Sequence, residues 1–125
     1  MDLLLDTHAL LWWLGEDPGL NPAAARAIAS PANAAWVSAA TSWEISTKTA
    51  LRKLEFDHDL PTVIDANGFR PLALTLDHCW AAGKLPPHHG DPFDRMLIAQ
   101  ALAEGLTIVT RDRHFGAYGV PVLDA

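Results

Sequence analysis

Four acidic residues stand at places where an alternating chain can gather charge: Asp6, Glu44, Asp94 and Asp112. Asp6 follows Leu3-Leu4-Leu5 and precedes an apolar series from Ala9 to Leu14, so its carboxylate falls in poorly hydrated surroundings and needs a partner. No Lys or Arg close in sequence supplies one. Glu44 comes shortly after the apolar run Ala35-Trp36-Val37, and Asp112 shortly after Leu106-Thr107-Ile108-Val109. Taken singly, each acid reads as a solvated carboxylate or a helix cap. Gathered at one crevice, four would repel one another and raise some of their pKa values unless a cation intervened. Hard divalent cations take oxygen ligands and hold carboxylates together with water and phosphate. Such an ion activates water and offsets the charge that builds when a phosphodiester is attacked.

The elements that would position these acids follow from periodicity and capping. Asp2–Leu5 reads as a buried strand ending at Asp6 and turning at once into a short helix. Asn21-Pro22 opens an alanine-rich helix to about Ser30. Ala35–Ser38 is the second strand, with Thr41 or Ser42 as the cap of a helix carrying Glu44 to about Lys53. Leu60–Asn67 reads as a helix ended by Gly68, Pro71–Leu74 as a third strand, and Leu76–Ala82 as a helix capped by Thr75 and ended by Gly83. Residues 84–90 form a loop. Asp91 has the chemistry of an N-cap and Pro92 fits the first helical position, which leaves Asp94 in the first turn with its charge free. Gly105 is an αL stop before the strand Leu106–Val109, and Val120–Leu123 is a last short strand. Strands alternating with helices require a mostly parallel sheet covered on both faces, and ligands bind at the carboxyl ends of such strands.

A chain of 125 residues, 50% hydrophobic and 19% charged, suits one domain over residues 1–125. Its single cysteine, Cys79, excludes an internal disulfide, suits a reducing compartment, and reads as a small buried hydrophobe. No apolar run is long enough for a membrane span and no basic signal region opens the chain, so a cytoplasmic location is expected. The net charge of −6 argues against an ordinary nucleic-acid binder, although acids assigned to a metal would account for much of it. His8 reads as a helix residue, and His88 and His89 lie in a loop with no partner at zinc spacing. Lys48, Arg52, Arg95, Arg111 and Arg113 fit solvated charges as well as phosphate contacts, and Trp12, Trp13, Trp36 and Trp43 fit the core.

The segments LLLDTHALLWWL, SAATSWEISTK, HHGDPFDRMLIAQA and TIVTRD, in this order and at this spacing, closely resemble the PIN domain, in particular the VapC-type ribonuclease toxins of bacterial type II toxin–antitoxin pairs. The resemblance spans essentially the whole chain. It implies a three-layer α/β/α fold, RNA cleavage dependent on Mg²⁺ or Mn²⁺, a homodimer, and inhibition by a cognate antitoxin. Carried over by position, the metal-holding and catalytic acids are Asp6, Glu44, Asp94 and Asp112, the last at the most variable position. Thr7 and Thr110 match small polar positions beside them. The same residues leave other readings open: a phosphatase forming an aspartyl-phosphate on Asp6, which lacks a second Asp two residues on; a receiver-like signalling domain, which lacks an N-terminal acidic pair; and a binding module without activity, which would have no need of all four acids.

Overall fold

The leucines at the N-terminus point alternately to two buried faces, and that alternation sets the layers. In the computed structural model, which describes residues 1–125, β1 (Asp2–Leu5) places Leu3 and Leu5 in one apolar cluster and Leu4 in the other. The first cluster continues into α1 (Thr7–Leu14), α2 (Pro22–Ala29), β2 (Ala34–Ser38), α3 (Ala39–Ala50) and α4 (Leu60–Ala66) through Leu10, Ile28, Val37, Ile45 and Leu60. The second continues into α6 (Pro92–Glu104) and β4 (Thr107–Thr110) through Leu97, Ile98 and Ile108. Helices thus cover both faces.

β3 (Arg70–Leu72), α5 (Leu76–Lys84) and β5 (Val122–Asp124) complete the chain, with a 3-10 helix over Arg113–Tyr118. The sheet has the order β3-β2-β1-β4-β5 and every pairing is parallel. From β1 the chain winds outward to β2 and β3, then returns to β4 on the other side. The crevice between β1 and β4, at their carboxyl ends, is therefore the topological switch point where open α/β sheets bind ligands. Asp6 leaves β1 there, with its backbone N–H bonded to the Val109 carbonyl at 3.1 Å.

Several boundaries differ from the sequence expectation for physical reasons. Ser38, not Thr41 or Ser42, caps α3: its hydroxyl accepts from Ala40 N at 3.0 Å and donates to the Gln100 side-chain oxygen at 2.5 Å. The strand therefore runs into the helix without a loop, as at Asp6. α5 continues through Gly83 to Lys84, because Leu85 is held extended by the proline that follows it. The third strand stops at Leu72 and sits at the sheet edge, where Pro71 is tolerated. The last strand begins at Val122 rather than Val120. Gly105 does adopt the left-handed conformation, with φ 68°. Cys79 is exposed rather than buried, and Trp43 is 61% exposed rather than in the core. No helix is long and apolar enough to cross a membrane.

Two side chains hold the loop before α6: Tyr118 donates to the Pro86 carbonyl at 2.7 Å and accepts from His89 N at 2.8 Å, and Arg95 binds four carbonyls. The Arg95 guanidinium donates to the carbonyls of Ala82 (2.9 Å), Leu85 (2.8 Å), Pro86 (3.0 Å) and His89 (3.2 Å), so it is committed to backbone and is not a phosphate contact. Arg95→Met is expected to lower stability by about 1–2 kcal/mol, because three half-buried carbonyls and one exposed one lose a charged donor. Arg95→Lys should recover only part of that, since an ammonium cannot span four acceptors with the planar fork of an arginine. Urea denaturation of the two variants checks this, and an unchanged midpoint for Arg95→Met would refute the clamp.

Candidate functional site

The site is assembled from helix starts. Asp6 caps α1, with Oδ1 accepting from Ala9 N at 2.8 Å, and only 6% of the residue is exposed. Burial pushes its carboxyl above the ordinary range, and the charge of Glu44 adds to this, while hydrogen bonds from Thr110 and Ala9 oppose it. Glu44 points inward from the second turn of α3 and is 4% exposed. Its two oxygens have separate partners: Thr7 Oγ1 donates to Oε1 at 2.5 Å, and Lys48, one turn on, pairs with Oε2. That contact holds Lys48 protonated well above its usual range.

Asp91 and Asp94 divide their roles by geometry. The Asp91 side chain accepts from Asp94 N at 3.0 Å and so is spent on capping α6. Asp94, in the first turn, receives no backbone donor and faces the crevice. Its carboxyl is pushed up to about 7, first by burial, then by the charges of Asp91, Asp6 and Glu44, with His89 opposing. The charges of Asp6 and Glu44 thus act on Asp94, and that of Glu44 acts on Asp6.

Asp112 is placed differently. It caps the 3-10 helix, and its Oδ1 accepts from both the backbone N–H and the ring Nδ1 of His114, at 2.9 and 2.8 Å. Its Oδ2 lies 2.8 Å from His89 Nε2. Burial works against ionisation, but these hydrogen bonds outweigh it and hold the carboxyl below its ordinary range.

His89 is the residue sequence reasoning missed. Its Nε2 lies 3.0 Å from Asp94 and 2.8 Å from Asp112, and ligand atoms of the three residues fall within 4.8 Å of one another. Asp91 N donates to Nδ1 at 3.1 Å, so the ring presents its proton from Nε2 to the two carboxylates. A His in a loop lacking zinc spacing carries no local signal of this; its position beside the D-P-x-D segment is the only clue.

Other expected candidates are occupied elsewhere. Arg111 donates to the Ala125 carbonyl at 3.2 and 2.6 Å, bonds the Gly19 carbonyl, and lies 4.2 Å over the Trp12 ring. Thr110 Oγ1 accepts from Asp112 N at 3.1 Å. The cleft beside α1 is walled by Trp12, Trp13, Leu20 and Val63, so α1 forms it with α2 and α4 and not with α3.

The sequence model of the PIN domain matches residues 3–121. The chain belongs to the PIN domain family. This PIN domain is 30% identical over 122 residues, 95% of this chain and 93% of the relative, to the ribonuclease VapC22 of Mycobacterium tuberculosis. Its fold matches VapBC2 from Rickettsia felis, solved bound to a promoter DNA fragment, with a TM-score of 0.73 at 15% identity over 100% of this chain and 99% of that one. A toxin–antitoxin complex from Klebsiella pneumoniae matches with a TM-score of 0.64 at 20% identity, covering 98% and 96%. At such identities the structural likeness speaks for the fold. The PIN fold accounts for the all-parallel sheet.

The donor set of this PIN domain fits a hard divalent cation. Asp6 and Asp94 are desolvated oxygen donors, the charges of Asp6 and Glu44 add to the proton affinity of Asp94, and neither aspartate is bonded to a Lys or Arg.

Two predictions follow from this geometry. Asp94 has a folded-state pKa above its ordinary 3.8, so its protonated form contributes stability that is complete below pH 3.8 and is lost as the pH rises through about 7. Melting of the metal-free protein across that range should show this decline, and Asp94→Asn should flatten it and melt higher above pH of about 7. An identical pH profile for the variant would refute the assignment. The second separates the two aspartates: Asp91→Ala should cost about 0.5–2 kcal/mol of stability and Asp91→Asn almost none, since Asn keeps the acceptor. Denaturation of both variants checks it, and equal losses would mean that the cap is not what Asp91 supplies.

Proposed function

We propose that residues 1–125 act as a single PIN domain with metal-dependent endoribonuclease activity, the toxin of a type II toxin–antitoxin pair working in the cytoplasm. The observation that carries this reading is the pair Asp6 and Asp94, both desolvated, with the charge of Asp6 acting on Asp94 and no Lys or Arg bonded to either, at the switch point of the sheet. The relative named a ribonuclease supports the activity, and the likeness to toxin–antitoxin complexes supports the role.

Mg²⁺ or Mn²⁺ would be held by Asp6, Glu44, Asp94 and Asp112, and such an ion lowers the pKa of water and offsets charge on the attacked phosphodiester. The chain's own residues set up that environment. Thr7 and Lys48 fix the two Glu44 oxygens, so this carboxylate keeps one orientation. The backbone N–H of Ala9 at the start of α1 fixes Asp6. Hydrogen bonds from His89 and His114 favour the ionised form of Asp112, and His89 Nε2 lies 3.0 Å from Asp94. Arg95 fixes the backbone of the loop that carries His89.

A cognate antitoxin is the proposed partner, with an apolar segment for the cleft walled by Trp12 and Trp13, and the toxin is proposed to form a homodimer.

Purified protein incubated with a mixed RNA pool should cut it with Mg²⁺ or Mn²⁺ and not with chelator. Asp6→Asn should lower the rate on the order of a thousandfold while keeping the fold. Mg²⁺ should raise the melting temperature of the wild type by mass action, and less so for Asp94→Asn. RNA cutting that survives chelation, or an active Asp6→Asn protein, would refute the metal-dependent reading. Expression should arrest growth, and co-expression of the adjacent gene's product should relieve the arrest.

A further inference from the structure

An acidic protein that acts on a polyanion has to find its binding energy somewhere other than charge. The net charge is −6, and of the basic groups nearest the acids Arg95 is bonded to four carbonyls, Arg111 to the Ala125 and Gly19 carbonyls and Lys48 to Glu44, which leaves the exposed Arg113 beside Asp112. Little cationic surface is left there to release counterions from a nucleic acid. Uncharged contacts with the bases are the remaining source, and at the rim of the site there is an aromatic pair to make them.

Trp43 immediately precedes Glu44 on α3, and Phe93 immediately precedes Asp94 on α6. Consecutive helical side chains diverge by about 100°, so a residue beside an inward-facing acid lies on the rim of the pocket that acid enters. The two rings meet edge to face with centroids 5.1 Å apart. Phe93 is half-buried and anchors the contact, while Trp43 stays 61% exposed. Lys48 ties the pair to the acids: its Nζ lies 6.0 Å from the Phe93 centroid and is bonded to Glu44. The other strongly exposed indole, Trp80 on α5, has Lys84 4.5 Å over its ring and no site acid beside it.

We infer that Trp43, braced by Phe93, is the platform on which a nucleobase next to the cleaved phosphodiester stacks. This role is one of substrate positioning and rests on the ribonuclease reading above. Stacking on an indole is tolerant of sequence but demands a base, so it selects nucleotides whose base is free to leave a helix.

The test compares a short single-stranded RNA with the same RNA carrying abasic residues around its centre. Binding is followed by fluorescence anisotropy with Ca²⁺ in place of Mg²⁺, and cleavage is measured separately with Mg²⁺. Wild type should bind the base-bearing RNA about tenfold more tightly than the abasic one. Trp43→Ala should lose that preference and raise KM with kcat nearly kept, Trp43→Phe should retain part of it, and Trp80→Ala should retain all of it. A folded Trp43→Ala protein that keeps the base preference overturns the inference, as does one that weakens both RNAs equally. So does one that loses only its affinity for a protein partner, which would make Trp43 a docking residue. If wild type cuts no RNA, the ribonuclease reading fails and takes the platform with it; if it cuts RNA and Trp43→Ala matches it, the platform alone fails.

Discussion

Asp6 is buried and Asp94 half-buried, and the charge of Asp6 lies close enough to disfavour ionisation of Asp94. Such an arrangement is unstable by itself, and it persists because the surrounding layers over-determine it. Leu3 and Leu5 anchor β1 in one apolar layer, Leu4 in the other, and Leu97 and Ile98 fix α6 against that second layer. The acids cannot move apart without unpacking one of these layers. The raised proton affinity of Asp94 is thus held in place by hydrophobic burial, and the same tension makes the site ready for a cation.

A single device recurs at the carboxyl edge of the sheet. β1, β2 and β4 each pass into a helix through a residue whose side chain caps it: Asp6, Ser38 and Asp112. Capping orients these side chains with backbone donors, which are more rigid than other side chains. Asp91 applies the device one step removed, taking the exposed donor of α6 and leaving Asp94 free. The site is therefore built mostly from local hydrogen bonds, then brought together by the parallel sheet.

A buried polar chain behind the site links the layers. Ser38 donates to Gln100, which approaches the Ala73 carbonyl at 3.3 Å and His78 at 3.4 Å, and His78 reaches Glu104 at 2.9 Å. Thr75 N donates to His78 Nδ1 at 3.2 Å, so the Nε2 proton is the one that meets Glu104. Because each buried polar group depends on the next, sliding α6 along the sheet would orphan several at once. The position of Asp94 in the crevice is in this way referred to β2 and α5 as well as to its own helix.

Much of this was decided by short-range chemistry that is visible along the chain. The Asp91-Pro92 start of α6, the Gly105 stop, the Asn21-Pro22 start of α2 and the alternation through β1 depend on neighbours within about a turn, so residue order determines them. The acids Asp6, Glu44 and Asp94 were legible for the same reason: each stands beside a strand end or helix start. Tertiary structure alone decided which side chains meet across long separations. His89 faces Asp112, 23 residues on, and Ser38 meets Gln100 at a separation of 62, because helix packing and sheet register set those approaches. It also decided that Arg95 and Arg111 serve carbonyls and that Trp43 is left in water, since burial and partner choice depend on which faces the layers cover.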